Sequence, residues 1–374
     1  MTVCFVLSIF LVPGDRGATG GNISNYCLVS ELAKNHQIIL ITPNLTPLAQ
    51  QHLTNLGVKF YQNNLRYKNS FDSFRARSWL KRKLKDQLAA DSTDEVYLIG
   101  SAGTNDIVYK QWKGNQRNQR LGLIVRAFED FSGNRMSAPI LRYCMKRFFL
   151  FITGIERNIR RAHRSADLIV TNSEYMRAEI SAEMAVQNSR IKVIYPPLDI
   201  EFQPYRKRST KFNRIGFINP SALKGESIML ALASDHPELM FRYFSRSDKK
   251  YNQKNIEYGG WVSNRNELFE SIDLLIMPSR QEAFGRSAVE AVASGIPVLV
   301  SKNGGLPETV DERFIVMSDD PDDWFNSIIE FQDNPAKVEE IWHSSIEKIQ
   351  QYTFKRHNES VSQLLKNDGR FING

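Results

Sequence analysis

The stretch that most constrains the fold runs from Asp273 to Val310, DLLIMPSRQEAFGRSAVEAVASGIPVLVSKNGGLPETV. Leu274 to Met277 is a short apolar run closed by Pro278, the pattern of a strand buried on both faces of a parallel sheet. A polar loop, Ser279 to Glu282, follows it. Beyond Phe284-Gly285 the apolar residues Ala288, Val289, Val292 and Ala293 fall at helical spacing, and Gly295 and Pro297 stop that helix. Ile296 to Val300 reads as a second buried strand before the Gly304-Gly305 turn. A strand–loop–helix–strand unit puts its ligand end at the loop on the strand's carboxyl edge.

Glu282 lies before the helix and Glu290 eight positions later. At about 100° per residue, eight steps return a side chain near the same face, so the pair is expected to line one side of a ligand. The amides of Gly285, Arg286 and Ser287 begin the helix, where free N–H groups and the helix dipole suit a phosphate. Taken alone, the E-x7-E spacing is equally that of two solvated glutamates on an ordinary doubly wound unit.

The full string E-A-F-G-x-x-x-x-E-A, with the following G-I-P-V and G-G-x-P-E, resembles the donor-site signature of retaining GT-B glycosyltransferases, the GT4 family of group 1 enzymes. The resemblance implies an α/β GT-B fold, two Rossmann-like doubly wound domains facing across a cleft, with a nucleotide-diphosphate sugar as donor on the second. It implies that Glu282 approaches the donor sugar, Glu290 holds the ribose hydroxyls, and Phe284, Gly285 and Arg286 face the diphosphate. The loop NPSALKGES matches the family's basic element at Lys224-Gly225, while the family's arginine five residues earlier is Asn219 here. Asparagine donates hydrogen bonds but adds no charge, so Arg280 or Arg286 is expected to supply the second cation. Lys224 and Glu282 are thereby the expected catalytic residues.

Upstream, PGDRGATGGN follows the first apolar run and resembles the glycine loop of the family's first domain, which brings Gly20 and Gly21 to the donor phosphates. Its spacing is not the dinucleotide fingerprint, and a flexible strand-to-helix turn is the other reading. In IVRAFEDFSG, residues 124 to 133, Arg126 stands where many members carry histidine, and Arg126, Glu129 and Asp130 are candidates for the acceptor side. Ser173 is placed as a helix N-cap. Trp261, after Gly259-Gly260, either packs at the nucleobase or caps the core.

At 374 residues, 42% hydrophobic and 24% charged, the chain suits two globular domains. Apolar runs at Val3 to Val12, Gln37 to Thr42, Val58 to Tyr61, Glu95 to Gly100, Leu121 to Val125 and Asp167 to Thr171 alternate with helical stretches such as Ile23 to Lys34. That order predicts a parallel doubly wound sheet. Val193 to Phe212, with Pro196, Pro197 and Pro204, reads as a linker. Strands are then expected at Asn213 to Ile218, Glu238 to Phe244 and Ile256 to Val262. The domains are accordingly 1–200, 201–351, and a terminal helix in 352–374 that the resemblance returns to the first domain.

Cys4, Cys27 and Cys144 show no metal-ligand spacing and suit a reducing compartment. The first twelve residues lack a basic start and a cleavage site, so they read as a strand rather than a signal peptide. No apolar run nears the roughly 20 residues of a membrane span. Asp320-Pro321-Asp322 is formally D-x-D, but Asp320 is placed as an N-cap and Pro321 as N1. The six histidines form no ligand set, and neither metal nor cofactor is expected.

The net charge is +8, concentrated in two stretches, 71–90 and 141–164. In the first, Phe74, Leu80, Leu84 and Leu88 alternate with Arg75, Arg77, Lys81, Arg82, Lys83 and Lys85. Each stretch reads either as a surface for an anionic membrane or as a packed helix with a basic solvated face. No nucleic-acid motif accompanies them. The expected location is cytoplasmic, or peripheral on the inner face of a membrane. The expected reaction is metal-independent, retaining transfer to a glycan or lipid-linked acceptor in polysaccharide or glycolipid biosynthesis. The alternatives are a nucleotide-sugar epimerase or hydrolase on the same fold, and an idle membrane-associated scaffold.

Overall fold

A computed structural model describes residues 1–64, 70–90, 95–114, 118–128, 154–198, 201–206, 212, 214–262 and 265–366. The chain divides into two compact units: Met1–Asn172, Met176–Pro197 and Phe354–Gly374 form the first, Ser173–Tyr175 and Leu198–Thr353 the second.

The first unit is built on a parallel sheet of order β3-β2-β1-β4-β5-β6-β7. Its strands are β1 (Thr2–Val6), β2 (Gln37–Ile41), β3 (Lys59–Tyr61), β4 (Val96–Gly100), β5 (Gln119–Ile124), β6 (Leu168–Thr171) and β7 (Ile191–Val193). Its helices are α1 (Gly20–Leu32), α2 (Pro47–Asn55), α3 (Ser70–Ala90), α4 (Asn105–Lys113), α5 (Ile155–Ser165) and most of α6 (Glu174–Met184). The strand order reverses between β1 and β4, the point where doubly wound sheets bind ligands.

The second unit carries a parallel sheet of order β10-β9-β8-β11-β12-β13. These strands are β8 (Ile215–Ile218), β9 (Phe241–Phe244), β10 (Ile256–Tyr258), β11 (Leu274–Met277), β12 (Val298–Ser301) and β13 (Ile315–Val316). The helices are α7 (Glu226–Asp235), α8 (Arg265–Glu270), α9 (Arg286–Ala293), α10 (Pro321–Asp333) and α11 (Pro335–Ile349). The reversal here falls between β8 and β11. A last helix, α12 (Phe354–Gln363), packs against α1 of the first unit. There Val361 joins Phe5, Leu28 and Leu40 in one apolar cluster.

Strand β1 is shorter than the apolar run that announces it. Val6 pairs with Ile41 and Gly100, the last residues of β2 and β4, so beyond it no neighbour remains to pair with. Phe10 and Val12 stay in the core as a buried loop. Asp15 holds that loop, accepting from the Val12 N–H at 2.9 Å and from the Thr46 hydroxyl at 2.7 Å.

The first basic stretch is α3, a packed helix on one face. Ala76, Leu80 and Leu84 are buried at intervals of four, whereas Phe74, expected in that stripe, is 66% exposed. Residues 129–153 lie outside the described set, so Glu129, Asp130 and most of the second basic stretch carry no structural statement. Among the described residues no helix is long and apolar enough to cross a membrane. Arg126 lies against α1, donating to the Asn25 side chain and approaching the Gly21 carbonyl at 3.5 Å.

Candidate active site

The site grows from the loops that follow β8 and β11. After β8, Asn219 adopts a left-handed conformation, φ +53°, which asparagine tolerates better than most residues. Its N–H donates to the Phe244 carbonyl at 2.8 Å. A single 3-10 turn, Ala222–Lys224, follows, its Lys224 N–H donating to the Ser221 hydroxyl at 3.3 Å. Gly225 then caps α7 at φ +76°, and a Cβ there would stand 1.9 Å from the Pro278 carbonyl oxygen. Only glycine lets the first loop close on the end of β11.

A polar network steadies this loop from behind. Glu226 accepts from Lys249 at 2.8 Å and from the Tyr251 hydroxyl at 2.5 Å. Lys249 also donates to the Pro220 carbonyl at 2.7 Å. Burial, and then the Glu226 carboxylate, push the Tyr251 hydroxyl well above its usual pKa. Burial with the neighbouring Asp248 pushes Tyr243 up to about 12. Both phenols are therefore held as neutral donors.

The loop after β11 is shaped by the glycines at its far side. Gly285 caps α9 at φ +95°, with Leu306 filling the space a side chain would need. A Cβ on Gly304 would meet the Glu282 carbonyl at 2.0 Å, and the Gly305 N–H donates to that same oxygen at 2.9 Å. The G-G turn thus lies directly on the Glu282–Ala283 backbone. The hydroxyl of Ser173, the residue read as an N-cap, donates to the Ala283 carbonyl at 2.6 Å within the second unit.

Between these loops lies a cavity of about 110 Å³, lined by Asn219, Lys224, Ser279, Glu282, Arg286 and Ser287 among others. Lys224 and Glu282 form an ion pair across it. Arg286 donates through Nε to Glu290 Oε1 at 2.8 Å. Arg265, at the start of α8, places its own Nε 3.2 Å from Glu290 Oε2, near enough for charge pairing. Among the described residues no donor is aligned on Oε2 for a directed hydrogen bond, although the side chain is only 2% exposed. The cluster therefore holds three cations and two carboxylates, and the α9 amides begin beside it.

Several expectations need correction. Glu282 sits in the loop four residues before α9, so helical spacing does not place it; the loop brings it to the cavity while Glu290 stands behind Arg286. Of the Phe284-Gly285 segment expected to face the diphosphate, the Phe284 ring is 3% exposed and packs edge-on against Tyr352 at 5.0 Å, which leaves its backbone to face a ligand. Arg280 is not a lining residue of this cavity; its N–H donates to the Leu223 carbonyl and its guanidinium turns toward Ser227 at 3.5 Å. Arg286, the other candidate for the second cation, does line it. Gly20 and Gly21 open α1 in the first unit in ordinary helical conformation, the left-handed positions of that loop being Gly14 and Gly17. Trp261 does not cap the core; it is 50% exposed and carries Arg246 over its ring at 5.0 Å. Asp320 accepts from the Asp322 N–H at 3.1 Å ahead of Pro321, an N-cap geometry that accounts for the D-x-D string.

Arg265 and the Glu226–Lys249–Tyr251 network were not legible in the sequence. Their partners lie 23 to 25 positions away in no periodic pattern, and only the G-G-W turn ahead of α8 hinted at a built loop.

Known proteins resemble this chain in sequence and in fold. Residues 226–348 match the model of glycosyl transferases group 1, and residues 140–202 that of glycosyltransferase family 4. An uncharacterized 41.2 kDa protein from the cps region of Klebsiella pneumoniae is 26% identical over 215 residues, 53% of this chain and 59% of that relative. Among solved structures, sucrose-phosphate synthase from Thermosynechococcus elongatus superposes with a TM-score of 0.71 at 15% identity, covering 98% of both chains. The Anabaena protein HepE, solved in complex with UDP-glucose, gives a TM-score of 0.64 at 18% identity, covering 98% of this chain and 99% of that one. At such identities the structural likeness establishes the fold.

Proposed function

We propose that this chain, a group 1 glycosyltransferase with a GT-B fold, moves a sugar from a nucleotide-diphosphate donor to a glycan or lipid-linked acceptor with retention of configuration. The observation that carries this reading is the convergence of Lys224, Arg286, Asn219 and the α9 amides on one small cavity at the β8–β11 reversal. Breaking the anomeric bond leaves negative charge on a diphosphate and positive character on the sugar. Preorganised donors aimed at that charge are the largest contributor such a site can offer.

In this reading Lys224 and Arg286 meet the diphosphate, and Asn219 adds a hydrogen-bond donor where the family has an arginine. The two cations and the helix start carry the neutralisation, so no metal is assigned a step. Glu290 receives the ribose hydroxyls on Oε2, the buried oxygen without an aligned donor. Glu282 exchanges Lys224 for the sugar hydroxyls when donor arrives. Without a carboxylate assigned as nucleophile, the acceptor attacks from the face the leaving phosphate vacates, and that phosphate takes the acceptor proton.

The test begins with common nucleotide sugars, scored by thermal stabilisation and slow hydrolysis. With the stabilising donor in hand, Lys224→Ala lowers transfer by a factor of about 10² or more, and a chelator leaves the rate unchanged. Near-normal turnover by Lys224→Ala rules the role out. Epimerised donor without transfer shifts the assignment to a different enzyme on this fold.

A further inference from the structure

The loop that brings Asn219 to the cavity is held in a conformation its own residues do not favour. Asn219 stands at φ +53°, and the proline that follows narrows its backbone further. A residue in such a conformation stays there only where its surroundings fix it. Here it is tethered on both sides. Its N–H donates to the Phe244 carbonyl at 2.8 Å, and the next carbonyl, that of Pro220, accepts from Lys249 Nζ at 2.7 Å. The proline ring fixes the φ between these two tethers. Holding the Pro220 carbonyl therefore leaves Asn219 little freedom to turn away from the cavity it lines.

Lys249 comes from the loop after β9, 29 positions along the chain from Pro220, and is not a lining residue of the cavity. Its backbone is locked by Tyr243, whose hydroxyl accepts from the Lys249 N–H at 2.9 Å and meets the Asp248 carboxylate at 2.7 Å. Its ammonium also reaches both oxygens of Glu226, at 2.8 and 3.1 Å. The Tyr251 hydroxyl holds the same carboxylate at 2.5 Å. The charge of Lys249 is thus balanced by Glu226 rather than offered to a ligand. An ammonium has donors and no acceptor, and these donors go to the two ends of one loop: Pro220 at its start and Glu226, the first residue of α7, at its close. Lys224 lies between them.

We propose that Lys249 is a positioning residue of the donor site, a clasp that joins the two ends of the loop from Pro220 to Glu226 and keeps Asn219 turned toward the diphosphate. Resting on the transferase reading above, this puts control of the phosphate contacts on a side chain that touches no ligand. A Lys249 that merely held Glu226 at the start of α7 would affect every ligand of the second unit alike. A clasp acting through Asn219 affects only those that carry the second phosphate.

The experiment measures the affinities of UDP, GDP and ADP and of their monophosphates for the whole protein, and carries the tightest pair forward. The unaltered protein is expected to prefer the diphosphate. Lys249→Met keeps the aliphatic stem at a position 38% exposed. It should weaken the diphosphate about tenfold, the worth of one misaimed hydrogen bond to a charged group. The monophosphate should bind as before, which also shows that the variant is folded. Asn219→Gly takes φ +53° without strain but has no amide to aim, so Lys249→Met should cost nothing further in that background. A diphosphate preference that Lys249→Met leaves unaltered overturns the proposal. So does an equal weakening of both nucleotides, or an undiminished loss in Asn219→Gly. Hydrogen exchange in residues 219–225 is read in parallel, without nucleotide. If the unaltered protein shows no preference for the diphosphate, the transferase reading fails, and the clasp is judged by exchange alone. Faster exchange in Lys249→Met then upholds it, and equal exchange overturns it.

Discussion

Gly225 joins two requirements that no other residue meets. Its φ of +76° is costly for a side chain, and the Pro278 carbonyl occupies the place of its Cβ. Gly225→Ala is expected to cost roughly 2–4 kcal/mol, the left-handed strain adding to overpacking against backbone. A urea titration reads this directly, and a loss under about 0.5 kcal/mol, the range of an ordinary surface substitution, would show that the loop yields there. The same position explains why Lys224 and Asn219 were legible from sequence. They sit in one short string at a strand end, where the chain direction is set by the strand and the closing glycine. Direction inside a loop is another matter. Phe284 and Arg280 flank the right backbone, yet Tyr352 draws one side chain into the core and α7 draws the other aside. Arg265 reaches Glu290 only through the tertiary fold, and no local pattern records that pairing.

At the scale of elements, burial on both faces made the strands readable as unbroken apolar runs, and β11 falls where Leu274 to Met277 predicts it. Boundaries failed where pairing, not composition, ends the element: β1 stops because β2 and β4 stop. Chemistry at helix starts was the more dependable guide. Asp320→Ala should remove about 1 kcal/mol of stability through the lost cap on α10, and Asp320→Asn should restore most of it. Neither change should alter donor binding; a lost nucleotide-sugar response in Asp320→Ala would return the D-x-D string to the site. Helix α12 adds a pH dependence of its own. His357 is buried with its Nδ1–H donated to the Tyr195 carbonyl at 2.9 Å, and burial, its main cause, lowers its pKa to about 4. The unfolded chain binds that proton near pH 6.5, so stability is complete above that value and falls as pH drops toward 4. Between pH 7 and 5 the loss is up to roughly 2 kcal/mol, with His163, lowered likewise by burial, adding to it. Melting curves at the two pH values check this. His357→Gln should flatten the difference, and an equal difference in both proteins would remove His357 as its source.

At the scale of the molecule, the first unit is discontinuous in sequence. It takes the first half of the chain and then residues from the far end, with the whole of β8 to α11 in between. Val361 of α12 completes the apolar cluster around Phe5 and Leu28, and Leu364 and Leu365 pack against it. A chain ending at Thr353 leaves that cluster open. Losing Val361 alone removes about 1.5–3 kcal/mol of burial, a large share of the roughly 5–15 kcal/mol that holds a domain together. The second unit keeps its whole sheet and the Lys224–Glu282 cavity, since no residue of either lies beyond Thr353. Hydrogen exchange followed segment by segment separates the two. Amides of β1, β2 and β4 should lose protection on truncation, and those of β8, β11 and β12 should keep it. A saturating nucleotide sugar should still stabilise the second unit, by about 2.7 kcal/mol at a hundred times its Kd. Uniform loss of protection in both sheets would mean that the units do not hold their structure separately. Unchanged protection in β1 would mean that α12 contributes nothing to the core it covers.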